Sequence, residues 1–431
     1  MPQSILIIGN SIAGPTLATF LLLSSLPASE KPHITILERA PNIRVHGQNI
    51  DIRGAGLTLL QKLGLEAVVR ASTTGEAGVR IVDDQDRTWA AFPAGPGGSG
   101  PTSDVEILRG RLAEILYERS RTVSEEVKGE GGHGIEYLWG DFLTDIEQNG
   151  EMVDVVFAKS GAKRSFDLVV GADGLQSRTR RLVWGDYGES ERVRKLGMYG
   201  AFFSMPVGKT DSMWRRWYHA AGRRWIMIRP DEQRGLTTVF MATISDDKRW
   251  AEAALKSRAG LDGQKALMKE CFQDAGWESE RVLKEMESTE DFYYDMIAQV
   301  KMDKWSKGRV VLLGDSAFCA SPISGMGTTL AMTGAYNLAG ALTQHPDDPE
   351  AAFSQYEKAQ RPIVNSAQKL APGFPHLITP QTPWGVWILH AIMWIIYRSR
   401  LIDLLSKIAG PPAGLAPIND YGFKQLSDIS S

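Results

Sequence analysis

The residues in this chain best suited to chemistry sit in three glycine-rich turns, each following an apolar, strand-like run. They are Ile5-Leu-Ile-Ile-Gly-Asn-Ser-Ile-Ala-Gly14, Asp167-Leu-Val-Val-Gly-Ala-Asp-Gly174 and Val310-Val-Leu-Leu-Gly-Asp-Ser316, the last running on to Gly325-Met-Gly327. In the first, Gly9 permits a tight turn, the position of Ser11 lets backbone approach a pyrophosphate, and Gly14 lets helix and strand pack closely. Ser11 stands where a second glycine is usual. Ile12 and Ala13 open the following helix, whose unpaired N–H groups and dipole favour an anion. Glu38 ends the next strand, with Arg39 beside it, and is placed to bond the ribose hydroxyls of an adenylate. Asp315 is placed to accept bonds from polyol hydroxyls such as a ribityl chain. Gly325, Met326, Gly327 and Thr328 open another helix, facing negative charge on a phosphate or a reduced ring. Together the turns imply one nucleotide cofactor held from both ends of the chain. No second complete Gly-x-Gly-x-x-Gly unit is present, which disfavours enzymes with two full dinucleotide domains; the three segments together point to a flavin.

The elements that must position these turns follow from pattern. Ser4–Ile8 reads as a buried strand, Pro15 suits a first helical turn, and the helix is expected to run to about Ser25. His33–Glu38 completes a βαβ opening. Arg109–Arg119 carries apolar residues at helical spacing, at Leu112, Ile115 and Leu116. Ala94–Pro101 and Lys128–Gly134 read as flexible loops. Met152–Phe157 and Ser165–Val170 suit a strand pair. Leu196–Pro206, Arg224–Pro230 and Leu236–Ile244 are rich in aromatic, Met and β-branched residues and suggest an antiparallel sheet, followed by a helix over Gly263–Ala275. The α/β pattern returns at Arg309. The expected fold class is α/β: a Rossmann-like cofactor domain (1–78, 105–188, 295–372) interrupted by an antiparallel β-sheet substrate domain (79–104, 189–294), with a C-terminal helical segment (373–431).

Composition narrows the function classes. The chain has 431 residues, 43% of them apolar and 23% charged, as in ordinary globular proteins. At roughly 100–200 residues per domain, two or three domains are expected. A net charge of −3 gives no reason to expect nucleic acid as a partner. Two distant cysteines, Cys271 and Cys319, make neither a disulfide framework nor a dithiol, which fits a cytoplasmic location. The seven histidines show no ligand spacing, so no metal is expected. Leu17–Ser29 resembles a signal-peptide core, but no Lys or Arg precedes it. Trp384–Tyr397 is strongly apolar yet shorter than the roughly 20 residues of a spanning helix. It is expected to be a buried helix closed by Arg398 and Arg400, with peripheral membrane contact through its tryptophans as the alternative.

The three motifs, in this order, resemble those of the FAD-dependent aromatic hydroxylases, single-component flavoprotein monooxygenases similar to p-hydroxybenzoate hydroxylase. The local pattern is most similar to the branch that contains the tetracycline-inactivating monooxygenases. The resemblance covers most of residues 1–370. It implies that Gly9, Ser11, Gly14 and Glu38 form the ADP loop, that Arg109 and Asp51 contact FAD, and that Arg44 serves NADPH. It places Asp173, Gly174, Ser177 and Arg180 in a middle motif serving both FAD and NAD(P)H. Asp315, Pro322, Gly325 and Gly327 fall near the ribityl chain and flavin ring. Two positions depart from the pattern: Phe318 stands where many members have His, and Thr329 where many have Asn.

The resemblance also implies a mechanism. NAD(P)H reduces FAD, and reduced flavin with O2 forms a C4a-hydroperoxide that hydroxylates a hydrophobic aromatic or polyketide-like small molecule. No side chain is assigned a catalytic role. Phe203, Trp217, Met227, Met241 and Phe318 are the candidate substrate contacts, with Pro322 beside them. An oxidase, epoxidase or Baeyer–Villiger enzyme on the same scaffold is the alternative. The Trp-x-Trp-x-Ile-Pro signature of flavin halogenases is absent. A non-enzymatic carrier of hydrophobic ligands with a related fold is a further alternative, opposed by intact Gly14, Glu38 and Asp315.

Overall fold

The computed structural model describes residues 4–44, 47–94, 105–231, 234–255, 260–399 and 418–428. Of the expected loop Ala94–Pro101 all but Ala94 lies outside them, as do Arg400 and residues 401–417. Runs rich in Ile, Leu and Val form a six-stranded sheet. Its order is Ser306–Lys307, Val310–Leu312, Leu168–Gly171, Ser4–Ile8, His33–Glu38, Ile135–Trp139. All neighbours are parallel except the Ser306–Lys307 edge. Parallel strands are covered on both faces, so their sequences are apolar throughout rather than alternating. Part of the cover is the helix Ala13–Leu22, every residue of which is buried. Gly327–Gln344 packs beside it and against Pro349–Ala367. Because the strands run parallel, the turns after Ile8, Gly171 and Leu312 leave the sheet on one edge. Open α/β sheets bind ligands at that edge.

Two local expectations change. The first helix stops at Leu22 instead of Ser25, because the Ser24 hydroxyl turns back onto the Leu21 carbonyl at 2.8 Å. The expected strand Ser165–Val170 is two strands. Lys163–Phe166 joins Val153–Phe157 and Leu143–Gln148 in a three-stranded antiparallel sheet. The chain then switches sheets at Asp167, whose carboxylate accepts from Ser4 N and Oγ, each at 2.8 Å. Lys128–Gly134 is no long loop: the helix Arg109–Gly129 runs into it, and Gly132 N donates to Val127 O at 2.9 Å.

The second large sheet has seven strands, in the order Tyr293–Val300, Val193–Pro206, Leu236–Ile244, Arg224–Asp231, Trp214–Ala220, Gly78–Val82, Thr88–Pro93. Only Trp214–Ala220 and Gly78–Val82 pair in parallel. The edge strand Tyr293–Val300 crosses the expected boundary at 294/295. Side chains alternate between two faces. Phe203, Ile226, Ile228, Val239 and Met241 join the main core with Met268, Phe272, Val282 and Met286 of the helices Leu261–Phe272 and Ser279–Ser288. On the other face Met198, Trp225, Met227 and Ala242 cluster with Trp217, Phe240 and Ile323. Ile323 belongs to the third glycine segment, so this face looks toward the cofactor turns.

The C-terminal apolar run is a helix, Pro383–Ser399, but it is not buried. Only Leu389 and His390 are enclosed. Met393 and Ile396 pack on Val79, Ile81, Ala90 and Phe92 at one end of the seven-stranded sheet. Trp384 remains 67% exposed and Trp387 54%. Among the described residues, no helix is long and apolar enough to cross a membrane.

Candidate functional site

A cleft of about 1310 Å³, including its open mouth, lies between the carboxyl edge of the parallel sheet and the second face of the seven-stranded sheet. One wall is built from backbone. Gly9 adopts φ +115°, and a Cβ there would fall 2.3 Å from Ala172 O. A Cβ on Gly14 would fall 2.1 Å from Gly9 O. Both glycines are therefore demanded by close backbone approach, which packs the turn against the middle segment. Ser11, Ile12 and Ala13 line the cleft. No side chain caps the helix that begins at Ala13, so its first N–H groups are left for whatever fills the cleft. The helix starting at Gly327 is likewise uncapped, and Gly325, Gly327 and Thr328 line the same cleft. Gly325 has φ +62° with open space beside it.

Side chains complete this wall. Arg109 heads its helix, lines the cleft and donates from Nη2 to Ser11 Oγ at 3.1 Å. Asp315 and Pro322 line it too, and burial pushes the Asp315 carboxyl above its usual range, partly offset by Arg109. Glu38 accepts from Asn10 N at 3.1 Å and Ala40 N at 2.9 Å, with Arg44 Nη2 3.5 Å away. Arg39 is exposed next to it. Between these groups the Asn10 amide is buried with neither its nitrogen nor its oxygen bonded. An orphaned amide, two uncapped helix starts and a cation at a glycine cradle fit the diphosphate and polyol of FAD.

The middle motif serves differently from what the resemblance implies. Asp173 does not line the cleft; its neighbours Ala172 and Gly174 do. Its carboxylate is committed to Ser177 Oγ (2.5 Å), Thr179 N (2.9 Å) and Thr179 Oγ1 (3.0 Å). Ser177 in turn caps the helix Arg178–Trp184. Arg180 is wholly buried. It pairs with Glu189 at 2.6 Å and donates to Ser316 O at 2.7 Å, tying the middle segment to the third. Met326 and Thr329 lie behind the wall, the latter with its hydroxyl toward Arg53 O at 3.4 Å.

The opposite wall is built from side chains of the seven-stranded sheet and of a separate two-stranded pair, Asn49–Asp51 with Glu106–Leu108. Phe202 and Phe240 pair across strands, with ring centroids 3.8 Å apart and planes 13° from parallel. Thr238, Arg229 and Asn49 continue this wall, and Thr238 Oγ1 donates to Asn49 Oδ1 at 3.0 Å. Asp51, on the strand Asn49–Asp51, lines it and pairs with Arg53 at 3.3 Å. Behind Arg229 sits a buried charge network. Glu106 takes Arg229 at 2.8 Å, Arg215 at 3.0 Å and the Thr74 hydroxyl at 2.9 Å, and Arg215 also holds Glu76 at 2.8 Å. Burial, reinforced by Glu106, pushes the Glu76 carboxyl up to about 7, against the pull of Arg215 and Arg229. Burial alone would raise Glu106 as well, but Arg229 and Arg215 outweigh it and hold that carboxyl low.

Of the five substrate candidates only Phe203 reaches the cleft wall, with its ring packed toward Phe292 in the core. Met241 is fully buried on the far face of the sheet, opposite Ile226 and Ala201. Trp217 and Met227 share the cleft's face but pack with Trp225, outside its lining. Phe318 lies behind the third turn, 4.7 Å from the Trp305 ring. Sequence reasoning missed Phe202, Phe240, Thr238, Arg229 and Asn49. Asn49 stands two residues before Asp51, which the resemblance singles out; for the others no sequence signal distinguishes them from their neighbours.

The chain matches the model of the FAD binding domain family over residues 3–371. It is 35% identical to FAD-dependent monooxygenase asL6 of Sarocladium schorii over 415 residues, 95% of each chain. Its structure resembles that of tetracycline destructase Tet(55), with a TM-score of 0.75 at 29% identity over 97% of this chain and 99% of the other. With HpxO of Klebsiella pneumoniae, solved with FAD and uric acid, it shares the fold at 18% identity, with a TM-score of 0.67 over 95% and 97%.

Proposed function

The chain belongs to the FAD binding domain family and is a FAD-dependent monooxygenase; on that footing we propose that it uses NAD(P)H and O2 to hydroxylate a flat, hydrophobic aromatic or polyketide-like molecule. The observation that carries this reading is the pairing of two unlike walls across one cleft: backbone donors on one side, the stacked Phe202 and Phe240 rings on the other. Bound FAD supplies the redox chemistry, accepting two electrons from a nicotinamide and activating O2 for transfer of one oxygen atom.

The residues divide the remaining work. The N–H groups of Ser11, Ile12 and Ala13 bind the diphosphate, with Arg109 adding a positive charge. Glu38 binds the adenosine ribose, and Asp315 the ribityl hydroxyls. Gly325, Gly327 and Thr328 present N–H groups to the flavin ring. Arg44, beside Glu38 at the half-exposed rim, serves the nicotinamide nucleotide. Phe202 and Phe240 exclude water and hold the substrate plane, while Arg229 and Asn49 orient its polar edge.

The test is consumption of NADH and NADPH by the FAD-loaded protein with a panel of one- to four-ring phenols, using isotopically labelled O2. Substrate-dependent consumption with one labelled oxygen in the product is expected. Consumption that yields only hydrogen peroxide with every phenol would mark an oxidase and overturn the proposal.

A further inference from the structure

The helix Pro383–Ser399 presents the feature that the cleft leaves unused. Its inward side is Leu389, His390, Met393 and Ile396. At 100° per residue, the opposite side carries Trp384, Trp387, Ile388, Ala391, Ile392, Trp394, Ile395 and Arg398. That arc holds three tryptophans, and its only polar side chains are Arg398 and Ser399 of the last turn, the latter donating to the Ile395 carbonyl. The exposed large apolar residues of the described chain concentrate here: Leu377, Trp384, Trp387, Ile388, Ile392, Trp394, Ile395 and Tyr397, against five scattered elsewhere. A helix bound for water carries charge on its outer face; an outer face of this kind marks an interaction surface.

We propose that this face docks the enzyme on an anionic lipid surface, with the helix lying in the headgroup plane. Three observations select lipid over a second copy of the chain. The residues are those of membrane interfaces, with Trp and Tyr carrying amphipathic rings at headgroup level. The sequence that flanks the helix carries basic and no acidic residues, although Asp83 faces His390 on its inward side. Between Glu357 and Asp403 the sequence has no acidic residue; Lys369 precedes the helix and Arg398 and Arg400 follow at its end, while Arg361 is already paired with Glu357. A chain whose overall charge is −3 has here set aside a segment free of acid. The apolar face is also continuous along one helix, with Arg398 in its last turn, where such a side chain can reach phosphate while its stem stays in the apolar layer. The docked helix rests on the strands Gly78–Val82 and Thr88–Pro93 of the substrate-facing sheet, so the surface lies at the substrate end of the molecule.

The experiment is sedimentation of the full-length, FAD-loaded protein with vesicles of phosphatidylcholine alone or mixed with phosphatidylserine. Quenching of tryptophan fluorescence by brominated lipid reports contact. Wild type is expected to sediment with the mixed vesicles, more weakly with phosphatidylcholine alone, and to be quenched. Trp384→Ser, Trp387→Ser and Trp394→Ser combined should lower the partition coefficient by at least about tenfold while FAD content stays unchanged. Arg398→Glu should remove the preference for phosphatidylserine. Wild type left in solution with both vesicle types overturns the proposal, as does a triple variant that still binds. A wild-type dimer that ignores vesicles and becomes a monomer in the triple variant also overturns it, and assigns the face to a second copy.

Discussion

The two walls of the cleft solve the same problem with different materials. The cofactor wall is made of turns, and its donors are backbone N–H groups at two uncapped helix starts. The sheet wall is made of side chains from strands far apart in the sequence: Asn49 from one, Phe202 from a second, Arg229 from a third, Thr238 and Phe240 from a fourth. Backbone donors carry no titratable charge and tolerate no added bulk. Side chains tolerate change in bulk but respond to pH. The cofactor wall is therefore expected to fail by steric intrusion, and the sheet wall by loss of aromatic surface or of charge balance.

The largest expected effect breaks the cofactor wall. In Gly9→Ala the new Cβ meets the Ala172 carbonyl at 2.3 Å in a backbone conformation with φ +115°. Relief requires the turn to part from the middle segment, at a cost of about 3 kcal/mol, or roughly a hundredfold in FAD affinity. Flavin absorbance per protein after dialysis checks it; full occupancy would show that the wall is not built on close backbone approach. Arg109→Ala, which removes one cation and the bond to Ser11 Oγ, should cost less, about tenfold in FAD affinity by the same measurement.

The sheet wall should break without loss of flavin. Phe240→Ala removes one ring of the stacked pair while leaving the turns untouched. KM for a turnover-supporting phenol should rise about tenfold, at unchanged FAD content, because roughly 1–2 kcal/mol of aromatic contact is lost. A variant that loses FAD instead would merge the two walls into one unit. The charge network behind Arg229 gives a milder, pH-dependent version. Glu76 is raised in the folded state to about 7, from 4.5. Folding thus favours its protonated form, so its stabilising contribution is present at low pH and declines as pH rises from about 4.5 through about 7. Glu76→Gln should flatten that decline, an effect of about 1 kcal/mol, visible as a difference in the pH dependence of the denaturation midpoint. Parallel curves for wild type and variant would show that the network keeps Glu76 ionised throughout.

The contrast also explains what the sequence could and could not reveal. The turns at Gly9–Gly14 and Gly314–Gly327 are determined by local chain geometry: a strand, a close approach, a helix start. These are written in adjacent residues, so their clustering in space was legible. Asp173 and Arg180 were legible as a motif but not as to use, because spacing does not show that Ser177, Thr179 and Glu189 occupy their polar groups. The C-terminal helix was legible as a helix, while the exposure of its apolar side depended on how little of the sheet it covers. The sheet wall was nearly invisible. Its residues are every second position of strands whose facing is set by pairing, and the strand composition is apolar on both faces. Met241 was a candidate where Phe240 lines the cleft.

That one-residue difference supplies the smallest and sharpest prediction. Phe240 and Met241 are adjacent, yet successive side chains of a strand point to opposite faces. Phe240 stacks on Phe202 in the cleft; Met241 is fully buried opposite Ala201 and Ile226, in the core shared with the helices behind the sheet. Met241→Leu conserves volume and adds no polar group, so stability should fall by less than about 1.5 kcal/mol, with KM for the phenol unchanged. Phe240→Leu, an equally modest change one position away, should raise KM because the planar contact is gone. If Met241→Leu moved KM and Phe240→Leu did not, the strand would face the other way, and the division between an aromatic wall and a structural core would be reversed.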